Sequence, residues 1–284
     1  FSRLTFLGLI TLEKFKITLE QIFLTEGQNN YGNKIPFPFS SVSKVLITTG
    51  YPSYSSKKTE VIDLEYSAVK CKDLDVFPME IFLGVGARLA SMPIICGGLF
   101  YDAFTIEHSS DQCLIYTESG WQHFVTMIDR RIDAAGIIYD NAFHIFGGYD
   151  QDENTILQSS EIINEDGSST EGPQLPIPIF FHAIASINST VSIITGGETN
   201  TNSYTNQTWY FNHAKQEFTP GPDLLVGRYV HASATITDQE TKDRIVVVAG
   251  GYNGSFLDST EIFLNGEWVA GKNHKSSDPL LIST

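Results

Sequence analysis

Short apolar runs that stop at glycine recur along the chain. Ile94-Ile95-Cys96 runs into Gly97-Gly98, and His144-Ile145-Phe146 into Gly147-Gly148. Ile193-Ile194-Thr195 runs into Gly196-Gly197, and Val246-Val247-Val248-Ala249 into Gly250-Gly251. A weaker copy stops at Thr49-Gly50. The first positions of the five pairs are 49, 97, 147, 196 and 250, in steps of 48, 50, 49 and 54. Brief runs rich in β-branched residues and bounded by glycine predict buried strands. The paired glycines let the chain turn at φ > 0 where a Cβ would obstruct it. A steady period of about fifty residues is the mark of a repeat architecture.

The register extends beyond the glycines. Fourteen residues before the first glycine stand Leu83, Asp133 and His182; His231 stands nineteen before Gly250, and the polar insert 238–243 absorbs the difference. Each heads a run of small residues, such as His182-Ala183-Ile184-Ala185-Ser186, that suits a crowded innermost strand. A third strand follows each pair at Thr59–Leu64, Gln112–Tyr116, Ser160–Ile163, Thr208–Phe211 and Thr260–Leu264. A fourth slot holds Cys71, Trp121, Thr170, Phe218 and Trp268. Four short strands per period predict an all-β fold built of blades, with repeats at about 35–78, 79–127, 128–176, 177–225 and 226–271.

The fifth copy reads Arg228, His231-Ala232, Gly250-Gly251-Tyr252, Thr260-Glu261-Ile262 and Trp268. In that order it resembles a kelch repeat, and five copies in one register extend the resemblance over about residues 35–271. The first copy lacks its double glycine, and the Trp slot holds Trp only twice. The resemblance implies a kelch-type β-propeller with about five readable four-stranded blades, or a six-bladed ring that is partial in this chain. Gly97, Gly98, Gly147, Gly148, Gly196, Gly197, Gly250 and Gly251 are its structural glycines.

Upstream, residues 1–34 read as a separate segment. Ser2–Ile10 has one positive charge and a short apolar run, as a signal-peptide remnant would, but no small-x-small cleavage site follows, and an ordinary strand is the plainer reading. Lys14–Glu20 alternates polar and apolar residues, a half-buried strand that could close a propeller ring and cover a sticky edge. No run of eighteen apolar residues suggests a membrane span. The formal charge is −15, from 33 acidic and 18 basic residues. That balance disfavours nucleic acid and anionic membranes as partners.

All three cysteines fall in the first two copies. Cys96 and Cys113 sit on the neighbouring second and third strands of one blade and could bridge; Cys71, in the preceding blade, is the alternative partner for Cys96, and three reduced buried thiols are the third reading. A bridge would imply an oxidising compartment. The sequons at Asn188, Asn206 and Asn253 are compatible with secretion but are expected by chance in a chain this rich in Asn, Ser and Thr; an extracellular location is slightly favoured over a cytoplasmic one.

Candidate chemistry is sparse. His182, His231 and Asp133 make a metal-like set; histidine is also the usual kelch residue at that slot, hydrogen-bonded into the blade. The cysteines are misplaced for a copper radical oxidase. Asn164–Thr170 lacks the spacing and the Trp of a sialidase box. No nucleophile elbow, phosphate loop or Cys-x-x-Cys is present. The reading is therefore a non-catalytic module with no catalytic residue, metal or cofactor. Its partner is a protein or peptide, held on the face formed by the loops after the double glycines and before the inner strands. Arg130 and Arg228 share one slot there, with Arg131 and Tyr229 beside them and Tyr149, Asp150, Tyr252 and Asn253 just after their glycines. Arginine and tyrosine are favoured anchors, and arginines on an acidic protein would select an acidic peptide. The opposing account has each arginine paired with a carboxylate inside the blade. The alternatives for the whole chain are an oxidase or sugar-processing propeller enzyme, or the substrate receptor of a cullin ubiquitin ligase whose adaptor domain lies outside these residues. Nothing in the sequence fixes an oligomeric state.

Overall fold

The computed structural model describes residues 77–271 except 105, 200–202 and 238–243, together with three earlier strands, Lys44–Thr48, Thr59–Asp63 and Lys70–Asp73. The N-terminal segment 1–34, Ile35–Phe39 and Thr49–Gly50 lie outside the described residues. Every regular element among the described residues is a strand.

The elements follow the repeat. The second copy forms Val85–Leu89, Met92–Cys96, Gln112–Thr117 and Gly120–Thr126, an antiparallel four-stranded sheet in chain order. The third forms Ala135–Tyr139, Ala142–Phe146, Ser160–Asn164 and Ser169–Glu171, and the fourth Ala183–Ser186, Val191–Thr195, Thr208–Asn212 and Glu217–Pro220. The fifth forms Ala232–Thr237, Arg244–Ala249, Thr260–Leu264 and Glu267–Ala270. The first copy contributes three paired strands among the described residues. Each second strand is its sheet's centre; Ala142–Phe146 is buried along its whole length. Such a strand is apolar on both faces, which is why these runs do not alternate.

The hydrophobic cores lie between sheets. Phe77, Ile81 and Ile94 of the second copy cluster with Phe143, Ile145 and Ile163 of the third. Phe146 of the third clusters with Ile179, Ile194 and Trp209 of the fourth, and Ala185 and Ile193 of the fourth with Val246, Val248 and Trp268 of the fifth. Each such side chain contributes about 1.5–3 kcal/mol through burial. The inner strands of successive copies lie side by side. Four consecutive sheets stacked in chain order are consistent with successive blades of a β-propeller.

Two backbone links tie each sheet to the next. One runs through left-handed residues: Asp133 N–H donates to Leu83 C=O, Phe181 to Asp133 and Val230 to Phe181, each at 3.0 Å. All four have φ between 52° and 62°. The other uses the double glycine. Gly98, Gly148 and Gly197 donate to the carbonyls of Arg131, Ile179 and Arg228 at 2.8–2.9 Å. The first glycine makes room: a Cβ on Gly97, Gly147 or Gly196 would stand 2.3–2.4 Å from those same carbonyl oxygens. The glycine pairs are therefore needed for close approach between sheets as well as for the turn.

This network corrects the sequence register by one residue in the second and third copies, where neither Leu83 nor Asp133 is level with His182 and His231. Asp133 corresponds to Leu83, Phe181 and Val230, and the histidine slot in that sheet is Ala134. Arg131, rather than Arg130, is the counterpart of Arg228. The cause is a turn. Ala135–Tyr139 and Ala142–Phe146 are joined by two residues, Asp140-Asn141, both left-handed, as type I′ hairpins require. The matching turn of the fourth copy has three, Asn188-Ser189-Thr190, with the Asn188 side chain accepting from the Thr190 and Val191 amides. Counting a fixed fourteen back from the glycine cannot see that difference.

Candidate functional site

The loops after the glycines and before the inner strands do share one face, because they pair. Phe82 bridges Leu99, Ile132 bridges Tyr149, Phe180 bridges Glu198 and Tyr229 bridges Tyr252. Tyr149 and Tyr252 thus occupy equivalent positions, as expected, with Leu99 and Glu198 in the same slot of the other two sheets. Among the described residues, six of the eight exposed large hydrophobic side chains stand in these loops: Phe104, Ile106, Ile128, Tyr204, Leu225 and Phe256.

The rings on this face form an unbroken arc. Tyr149 meets Phe180 at 5.5 Å between centroids, Phe180 meets Phe181 at 4.6 Å, and Phe181 meets Tyr229 at 5.9 Å. Tyr229 meets Tyr252 at 5.5 Å and Tyr252 meets Phe256 at 5.3 Å. The arc crosses three successive sheets. All its members are half-buried except Phe256, which is 69 % exposed. Beside it, burial raises the Glu198 carboxyl above its ordinary range. Burial also raises the Tyr229 hydroxyl, helped by the Glu198 charge and by Tyr252. A shallow groove of about 390 Å³, lined by Ile177, Pro178, Thr199, Tyr204 and Gln207, continues the surface outward from Phe180 and Glu198.

The arginines divide. Arg130 is exposed and sits 3.6 Å from Asp152. Arg131 and Arg228 do not reach the surface; their side chains are fully buried. Arg228 donates to the Gly250 and Ser259 carbonyls, the Ser259 hydroxyl and Glu261, the last at 2.7 Å. Arg131 donates to the Gly147 carbonyl at 2.7 Å and lies 3.3 Å from both Glu161 and Asp129. Burial lowers the Arg131 pKa, against the pull of Glu161 and Asp129. The expectation that Arg131 and Arg228 greet a partner is thus corrected. Each spans from the strand entry to its own glycine turn, which fastens the sheet from within.

Asp150 and Asp152 tie neighbouring sheets together. Ser109 of the second copy donates its hydroxyl to Asp150 at 2.7 Å, and its amide to Asp152 at 2.9 Å. His108 contacts Asp152 at 2.5 Å. That hydrogen bond raises the His108 pKa. Burial pulls Asp152 upward, yet the bonds from His108 and Ser109 outweigh it and leave the carboxyl below its usual range. Asn253 caps the tip of its own turn, its amide donating to Ser255.

The inner histidines are packing groups. His182 lies under Gly147 and His231 under Gly196, where a Cβ would approach the imidazole to 3.1 and 2.7 Å. Burial takes both down to about 3. His231 shares a hydrogen bond with Thr195 at 2.9 Å. Asp133 belongs to a different slot, and among the described residues no three His, Cys, Asp or Glu form a metal-holding group. Cys96 and Cys113 are direct cross-strand partners and are bridged; the pairing of Cys96 with Cys71 is set aside.

Sequence reasoning missed Glu161, Glu261 and the run Phe180-Phe181. Among the four complete sheets, the two glutamates were legible as the acidic residue that follows Ser160 and Thr260 in the two copies that also carry a buried arginine. No protein-family profile matches the chain, and no curated protein matches it in sequence. The chain is similar in fold to the solved structure of YjhT. The TM-score is 0.72 at 11 % identity, over 82 % of this chain and 81 % of that one. At that identity the likeness speaks to the fold alone.

Proposed function

We propose that the chain is a kelch-type β-propeller acting as a non-catalytic interaction module, with a protein or peptide partner held on the loop face. The observation that carries this reading is the concentration of exposed apolar side chains there. Six of eight among the described residues lie in the loops of one face, where Phe256 ends a ring arc across three sheets. Scattered exposed hydrophobics need no explanation, but their concentration on one face beside such an arc supports an interaction surface. Aromatic anchors give large area for little entropy. The Cys96–Cys113 bridge supports an extracellular site of action.

The test is comparative capture. The parent, Tyr229→Ala, Tyr252→Ala and an opposite-face variant, Lys215→Ala, are used as baits against the culture's secreted and lysate fractions. The reading expects loss of one or more shared partners with both tyrosine variants and retention with Lys215→Ala. Equal capture by all four baits rejects it.

A further inference from the structure

Among the described residues from 77 to 271 the loop face carries an arc of rings but almost no free positive charge. The Lys and Arg side chains among these described residues are Arg88, Arg130, Arg131, Lys215, Arg228 and Arg244. Arg88, Lys215 and Arg244 stand at the opposite end of the strands. Arg131 and Arg228 are buried inside their blades, and Arg130 faces Asp152. Carboxylates, in contrast, ring this face: Asp102, Asp150, Asp152, Glu153, Glu198 and Asp258 all lie in its loops. Glu198 is the most telling. It takes the slot that holds Leu99, Tyr149 and Tyr252 in the other sheets, so it sits inside the arc, against Phe180 by its backbone and near enough to Tyr229 to raise that hydroxyl's pKa.

Building on the reading above, we propose that this face takes a cationic peptide, seating an Arg or Lys side chain on the Phe180–Tyr229–Tyr252 rings beside Glu198. A cation over a ring face is attracted by the ring's quadrupole, more strongly once water is excluded. A half-buried carboxylate at the ring edge then meets the charge and recovers its own lost solvation. The rest of the acidic rim steers such a peptide in and repels acidic ones, in keeping with the −15 formal charge. The acidic partner suggested by arginine composition alone is replaced, because Arg131 and Arg228 are inside the fold and the exposed Arg130 already faces Asp152.

The probes are fluorescein-labelled octapeptides of alternating Gly and Arg, with counterparts in which Lys, citrulline or Glu replaces Arg, read by polarisation at 150 mM salt. The Arg peptide binds, and the citrulline peptide binds at least tenfold more weakly. Tyr229→Ala and Tyr252→Ala each lower affinity for the Arg peptide about five- to thirtyfold, the range a desolvated cation–ring contact supplies. Glu198→Gln lowers it at least threefold. Glu217→Gln, on the opposite face, leaves it unchanged, and urea midpoints verify that each variant is folded. Tighter binding of the Glu peptide overturns the proposal, as does an equal effect of Glu217→Gln, which would mean diffuse attraction to an acidic protein. Saturable binding of maltohexaose with no binding of the Arg peptide overturns it in favour of a neutral glycan surface. If the Arg peptide fails while tyrosine variants still lose their captured partner, only the cationic preference falls. If those variants also keep every partner, the loop-face reading falls with it.

Discussion

The buried arginine–glutamate pair makes a sharp stability prediction, because the molecule contains its own control. At the matched positions the four complete sheets hold Ile81 with Leu114, Arg131 with Glu161, Ile179 with Trp209, and Arg228 with Glu261. A third position moves with them. Ile128 donates its amide to Glu161 and Leu225 donates to Glu261, each at 2.7 Å. Where the glutamate is missing, the matched residues are Pro78 and Pro176, which have no amide to satisfy. Apolar and ionic sheets thus use two self-consistent solutions to one site. Arg228→Ala strands Glu261, only 2 % exposed, with the amides of Leu225 and Val226 as its remaining partners. Removing one partner of a buried pair costs about 3–5 kcal/mol, which lowers the melting temperature by roughly 10 °C in a domain of this size. The triple change Leu225→Pro, Arg228→Ile, Glu261→Leu copies the second sheet. It removes the charge, its partner and one of the two amides that Glu261 satisfies, leaving that of Val226, and should lie within about 1–2 kcal/mol of the parent, since apolar replacement of a whole buried pair is often neutral. Urea midpoints on the parent, the single and the triple variant decide it. A triple variant as unstable as Arg228→Ala would refute the exchange argument, and an Arg228→Ala cost below about 1 kcal/mol would refute the claim that the pair fastens the sheet.

Three other outcomes follow. Gly196→Ala should cost about 3 kcal/mol or more, as its Cβ would stand 2.4 Å from the Arg228 carbonyl, whereas Gly250→Ala, whose nearest described neighbour is 3.7 Å away, should cost only the left-handed penalty of about 1–2 kcal/mol; equal urea midpoints would contradict the inter-sheet latch. Stability should fall as pH drops from about 6.5 towards 3, because His182 and His231 stay neutral in the fold down to about 3 while the unfolded chain gains protons from about 6.5. The loss amounts to about 2 kcal/mol per histidine by pH 5, and the slope should shrink in His182→Phe; a parent whose melting is flat from pH 7 to 5 would refute it. Thiol titration of native, unreduced protein should find one reactive cysteine, Cys71, with the Cys96–Cys113 bridge intact; three titrating thiols would refute the bridge.

The sheets were legible in the sequence because each rests on local pattern. An apolar run, two glycines and a β-branched strand recur at near-constant spacing, and the strands fall on those runs. What escaped was set by single-residue differences and by burial. One extra residue in the Asn188–Thr190 turn displaced the register, so Arg130 was matched to Arg228 although Arg131 is its counterpart. The fate of an arginine depends on whether a glutamate waits two strands away, as Glu161 and Glu261 do, and spacing does not reveal that contact. Tyr149 and Tyr252 were readable at the face because they follow the glycines directly. Phe180-Phe181 carries no such mark, since it precedes the inner strand rather than following a glycine pair, and its place beside Tyr149 and Tyr229 comes from the pairing of the entry loops.

The central claim is that the ring arc of the loop face is where a partner is held. Its most direct test is photo-crosslinking from a benzoylphenylalanine placed at Tyr229 or, as the control, at Lys215 on the opposite end. Crosslinked partner bands from position 229, absent from position 215 and competed by untagged parent protein, are the predicted result. Equal crosslinking from both positions, or from position 215 alone, would contradict it.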